Sequence, residues 1–231
     1  MDKYNFIKDS KRELEAFYAR FFDSDDELQT FLSDAFDYEN GSLARRQALF
    51  QVQRFILLAN DIDKIRPSRD PLRILFLKIG LDALCTLSGH TDKTKPLFYS
   101  KFCNCFSIEG KNYILNNFKL SHFEDEYMGR SFETSHDIDL NDFFNIIKFT
   151  RDMVVHDFEY WGMQFFAHDD DDATWVASLE TKKDLIPSYN YHRERQKETT
   201  YVFLTTLNYE QFIYYLTEAC VKFIKEHMED L

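Results

Sequence analysis

Glycine and proline are scarce in this 231-residue chain, with 6 and 4 copies respectively. An all-β protein needs many tight turns, so the scarcity disfavours one. Cysteine is rarer than a disulfide framework requires. Cys85, Cys103, Cys105 and Cys220 are dispersed and read as reduced thiols of a cytoplasmic protein. Cys103-x-Cys105 has no second half at ligand spacing, so packing outweighs metal binding, and neither a metal nor another cofactor is expected. Long hydrophobic runs are missing too. Charges interrupt every apolar stretch well short of the about 20 residues a membrane span needs. The polar start, Met1-Asp2-Lys3-Tyr4, leads into no apolar signal core, so no membrane association is expected. Positive charge is in deficit, 28 Lys and Arg against 40 Asp and Glu, for a net charge of −12. That balance argues against generic binding to nucleic acid or anionic lipid; a polyanion partner would need a local basic surface. Phosphate-loop, dinucleotide-binding, serine-hydrolase and HExxH zinc-protease motifs are absent.

Aromatic residues are abundant, with 24 Phe and 13 Tyr. Many must lie in a core, because so apolar a surface would aggregate. Helical periodicity runs over 42–65, started by Gly41-Ser42 and stopped by Pro67. A second helix is predicted over about 71–88, apolar nearly all round and therefore central, with Pro71 in its first turn and Gly89 at its end. Residues 96–120 read as two shorter helices broken at Gly110, and 121–139 as a polar loop. Asp139 is placed to cap a helix from Leu140 to about Glu159. Phe165-Phe166, 175–179 and 199–204 are rich in aromatic and β-branched residues and read as two or three strands. Asn208 and Gln211 then form a capping box for a helix over about Tyr209 to His227. The expected architecture is mostly α: one domain over 1–231, with a helical extension at 1–40 and a small β-hairpin or sheet inserted at about 161–206, before the C-terminal helix.

The most informative segment is Arg151-Asp152-Met153-Val154-Val155-His156. Spacing alone carries little weight. With 12 Arg and 7 His, about one Arg-x4–6-His pair is expected by chance, and Arg130 with His136 is another. Context separates the two: Arg151 and His156 interrupt a strongly apolar helix, and a polar residue follows the arginine directly. RNA cleavage by its own 2′-hydroxyl needs a base, an acid for the leaving 5′-oxygen, and positive charge near phosphorus. Histidine serves as either base or acid near neutral pH. Arginine stays charged and binds phosphate oxygens in pairs. Five residues turn a helix by about 140–150°, so Arg151 and His156 do not share a narrow face. Asp152 and His156, four apart, do. Asp152 either orients the imidazole or holds Arg151.

The segment resembles the Arg-polar-x3-His motif of the HEPN superfamily, the higher eukaryotes and prokaryotes nucleotide-binding domains. The resemblance implies an antiparallel helical bundle, often homodimeric, that acts as a metal-independent endoribonuclease on single-stranded RNA in toxin–antitoxin or antiphage systems. It implies Arg151 and His156 as catalytic residues supported by Asp152, with an antitoxin or other protein as a further partner. A two-fold dimer would bring two Arg and two His into one cleft. Two departures stand out. Asp152 replaces the commoner Asn or His after the arginine, and Phe158 stands where several antitoxin-paired members have Tyr. The alternative is a non-catalytic HEPN-like module that binds RNA, a nucleotide or a protein.

Other segments are weaker candidates. His192, Arg193 and Arg195 form a basic patch beside Tyr191 that suits RNA phosphate and base stacking. Arg45, Arg46, Arg66, Arg69 and Arg73 make a second basic group. The run from His168 to Asp172 lacks the glycine and spaced acids of a calcium loop and reads as a solvated turn.

Overall fold

A computed structural model describes residues 3–37, 41–67, 69–123, 135–136, 138–152, 154–155, 163, 165, 175–181 and 199–228. The described chain is mostly helical. Its helices are α1 (Lys3–Tyr18), α2 (Asp25–Phe36), α3 (Leu43–Ile65), α4 (Asp70–Leu87), α5 (Lys95–Asn104), α6 (Ile108–Asn117), α7 (Leu140–Asp152) and α8 (Tyr209–His227), with a short 3-10 turn at Ala19–Phe21. Among the described residues no helix is long and apolar enough to cross a membrane.

Capping chemistry sets most of the boundaries. Ser24, Ser42, Ser107 and Asn208 each accept a hydrogen bond from the backbone N–H three residues on, starting α2, α3, α6 and α8. At α7 the cap is reciprocal. Asp139 accepts from the Asp142 N–H at 2.9 Å, and Asp142 accepts from the Asp139 N–H at 3.0 Å. Pro71 sits in the first turn of α4, and Gly89, at φ 78°, takes the left-handed conformation just past its end. The bounds of α3, α4 and α8 and the start of α7 lie within a residue or two of those read from the sequence. The continuation of the α7 helix through residues 156–159 falls outside the described residues.

Two expectations fail. The break between α5 and α6 comes at Cys105–Ser107, not at Gly110, which lies inside α6. Ser107 restarts the helix by accepting from the Gly110 N–H. The glycine serves packing instead: a Cβ there would stand 3.0 Å from the Tyr215 ring. The expected loop after residue 120 also gives way to extended chain. Strand β1 (Phe118–Phe123) pairs antiparallel with β4 (Thr199–Thr205) and with the two-residue β2 (Ser135–His136). With β3 (Trp175–Thr181), also antiparallel to β4, the sheet order is β2-β1-β4-β3. Phe118 opposes Thr205 across 87 residues of chain, a pairing that local sequence does not encode.

One buried cluster runs from Leu14 to Met228 and draws on every helix. The segment before residue 40 belongs to it: Leu14, Tyr18, Phe31 and Leu32 are buried, and the Tyr18 hydroxyl donates to the Leu49 carbonyl of α3 at 2.8 Å. Helix α4 packs against both α3 and α7. The centre is aromatic. Phe102 meets Phe98, Phe106, Phe144 and Phe223 with ring centroids 5.6–6.0 Å apart. Such pairs add roughly 0.5–1.5 kcal/mol each beyond area burial.

Candidate functional site

Arg151 lies in the last turn of α7, where the amphipathic helix meets the middle of α4. Its guanidinium reaches two carboxylates. Nη1 is 2.9 Å from Asp152 Oδ1, and Nη2 is 3.5 Å from Asp82 Oδ2 on α4. Of the two roles open to Asp152, contact with Arg151 is seen among the described residues. His156 lies outside the described residues, as do His192, Arg193 and Arg195, the acidic run from His168 to Asp172, and Arg130.

Asp82 is the hub of a network that spans three helices. Its Oδ1 is 2.5 Å from the Lys78 ammonium, one turn earlier on α4, and 2.6 Å from that of Lys95, the first residue of α5. The Lys78 side chain is 0% exposed; those of Arg151, Lys95 and Asp82 are about a quarter exposed, at 22%, 27% and 28%. Burial pushes the Lys78 ammonium down to about 8, although Asp82 pulls the other way. At Asp82 burial acts upward, but Lys78 and Lys95 outweigh it and hold the carboxyl below its usual range. Lys78 is therefore mostly charged at neutral pH. Three cations then face two carboxylates, leaving one positive charge in excess. Two polar atoms in this neighbourhood are buried without a partner among the described residues, Arg151 Nε and the Tyr99 hydroxyl. The Tyr99 ring centroid is 5.3 Å from Lys78 Nζ. Burial raises its phenol, with Asp82 adding to the rise and Arg151 opposing it.

Lys78, Asp82, Lys95 and Tyr99 were not candidates on sequence grounds. A signal was present: Lys78 and Asp82 stand four apart inside a helix that is otherwise apolar nearly all round. A buried charge has to be paired, and i,i+4 spacing places the partner on the same face. Their meeting with Arg151, 69 residues away, has no local trace.

The chain matches no protein-family model, no curated protein and no solved structure.

The arginines of the second basic group do not form a common surface. Arg73 is paired with Asp70 and Asp63 and lies 3.9 Å over the Tyr209 ring. Arg45 is buried against Phe31, and Arg46 donates to the Ala35 carbonyl. Arg45 and Arg46 brace α3 to α2, and Arg73 braces α4 to α3 and α8. Cys103 and Cys105 are both buried free thiols, pushed up to about 12 and about 11 chiefly by desolvation. Cys105 meets Glu226 and His227 of α8, their ligand atoms within 4.8 Å of one another. Among the described residues this trio could hold a metal ion. Sequence spacing missed it because the ligands are more than a hundred residues apart. An open groove of about 570 Å³ lies between the α2 end of the chain and α8, lined by Phe21, Phe22, Glu27, Glu218, Lys222 and Lys225 among others. Lys225 bridges it to Glu27 at 2.9 Å. It contains none of the residues around Arg151.

Proposed function

We propose that this chain is a HEPN-type helical bundle with a small β insertion before α8, and that it is a metal-independent endoribonuclease. Two copies of the Arg151–His156 segment would meet in a homodimer and cleave single-stranded RNA, in the manner of a toxin or an antiphage-defence component. The observation that carries the reading is the state of Arg151. It is tethered at Nη1 and Nη2, partly exposed, and set in a cluster with excess positive charge. Its Nε–H has no partner among the described residues. A pre-oriented guanidinium with spare donors suits a phosphorane, whose charge grows as the reaction proceeds. One His156 would take the proton of the 2′-hydroxyl as its oxygen attacks phosphorus. The second would protonate the departing 5′-oxygen. The products are a 2′,3′-cyclic phosphate and a free 5′-hydroxyl, and no metal is consumed or required. Val155, inside the motif and 43% exposed, supports a dimer contact at this end of α7.

The test is cleavage of a single-stranded RNA in EDTA by wild type, Arg151→Ala and His156→Ala, with circular dichroism to verify the helices. The expected result is activity in wild type and a loss of at least about 100-fold in each variant. Equal cleavage by His156→Ala would overturn the assignment. The paired state of Arg151 also favours a second reading, a non-catalytic RNA-, nucleotide- or protein-binding module in which Asp82 merely locks α7 to α4 through Arg151. Binding by wild type without turnover at micromolar protein would select it.

A further inference from the structure

We propose that Lys95 and Arg151, held side by side by Asp82, form a clamp for one phosphodiester of a bound RNA strand. The inference rests on the ribonuclease reading for the identity of the ligand, but not for the existence of the site. Lys95 is the new element: it belongs to α5, a helix outside the motif, and Asp82 acts on the ligand only by positioning the two cations.

The geometry supplies the first argument. A single carboxylate already spans both cations, with Lys95 Nζ 2.6 Å from one oxygen and Arg151 Nη2 3.5 Å from the other. Two cation heads close enough to share one carboxylate are close enough to share a phosphate, whose oxygens accept at about 2.8 Å from charged nitrogen donors. Donor capacity is not exhausted. An ammonium has three N–H groups and a guanidinium five. Among the described residues Lys95 uses one, on Asp82, and Arg151 uses two, on Asp82 and Asp152. Arg151 Nε–H is buried, so the donors left to a ligand are the remaining Nη hydrogens.

Charge supplies the second argument. Lys78 is buried beneath the hub and sits 2.5 Å from Asp82. It neutralises the carboxylate that would otherwise cancel the outer cations. Asp152 balances Arg151 at 2.9 Å. The charge of Lys95 is left over, in a chain whose net charge is −12. A merely structural network has no need of a third cation, because one carboxylate is satisfied by Lys78 and Arg151 alone. An exposed ammonium could find water, yet Lys95 is anchored and only 27% exposed.

The experiment uses the full chain and a 2′-O-methyl RNA oligonucleotide, which binds but has no 2′-hydroxyl to attack. Affinity is measured by fluorescence anisotropy between 0.05 and 0.3 M salt for wild type, Lys95→Met and Lys95→Arg. Lys95→Met should weaken binding about tenfold and reduce the slope of log K on log salt by about 0.7, the contribution of one contact to a single strand. Lys95→Arg should retain both affinity and slope. A second arm uses inorganic phosphate at millimolar concentration. If no oligonucleotide binds but phosphate raises the melting temperature of wild type and not of Lys95→Met, the clamp stands and its phosphate comes from a ligand other than RNA. Loss of affinity and slope in Lys95→Met, in a protein that does not cleave RNA, supports the clamp and removes the ribonuclease reading. Lys95→Met with wild-type affinity and slope overturns the clamp, even if RNA is cleaved. Wild type that binds neither oligonucleotide nor phosphate overturns it as well.

Discussion

Lys78 and Asp82 should respond very differently to removal. In Asp82→Asn the Lys78 ammonium, fully buried, loses the carboxylate 2.5 Å away. Breaking a buried pair from one side costs about 3–5 kcal/mol. Lys78→Met instead replaces the charge with an apolar chain of similar length. Asp82 keeps Lys95 and Arg151 and some contact with water, so the change should lie within about 1 kcal/mol of neutral. The double variant should recover most of the loss. pH provides an internal check. Lys78 titrates at about 8 in the folded protein, below its usual value of 10.5 in the unfolded chain. Between those values the unfolded chain holds more protons, so this group adds stability as pH rises from about 8 towards 10.5. The full gain is about 3 kcal/mol, at 1.36 kcal/mol per unit. The raised thiols of Cys103 and Cys105 act in the opposite sense, since the unfolded chain ionises them first, but they are common to all variants and cancel on subtraction. Urea unfolding followed by circular dichroism at pH 7, 8, 9 and 10 gives the comparison. Wild type should gain on Lys78→Met as pH rises, and the deficit of Asp82→Asn should shrink as its orphaned lysine deprotonates. A Lys78→Met loss as large as that of Asp82→Asn, or identical pH slopes for wild type and Lys78→Met, would refute the reasoning.

Two further perturbations probe the frame that carries the site. Gly80→Ala adds a Cβ 3.0 Å from Phe55 Cβ, where α3 and α4 pack closely. Despite the roughly 1 kcal/mol helix preference for alanine, the urea midpoint should fall, with a net loss of about 1–2 kcal/mol once overpacking is included. Ser107→Ala removes both the cap of α6 and the hydroxyl that donates to Glu218 at 2.7 Å. Thermal unfolding should register a loss of about 1–2 kcal/mol.

Helices α3, α4 and α8 were legible because their signals are local: an apolar period, a capping Ser or Asn, and a Pro or Gly at the right end. The reciprocal Asp139–Asp142 cap of α7 belongs to the same class. Gly110 was misread because glycine has two uses. Sequence shows its flexibility, whereas its closeness to Tyr215, 105 residues on, is a tertiary fact. Strand β1 was missed for a similar reason, since its partners β2 and β4 lie elsewhere in the chain.

The same division runs through the site. By itself the sequence determined a mostly helical, aromatic-cored, acidic chain with Arg151 and Asp152 on one amphipathic helix, since composition and periodicity act within a few turns of chain. It also placed Lys78 and Asp82 on one face of a central helix, which made a buried pair a matter of spacing. Only the tertiary structure decided that Arg151 and Lys95 converge on Asp82, because α7 and the start of α5 meet α4 through packing rather than through neighbouring residues. The excess positive charge of that cluster is a property of the fold, in a chain whose overall charge has the opposite sign.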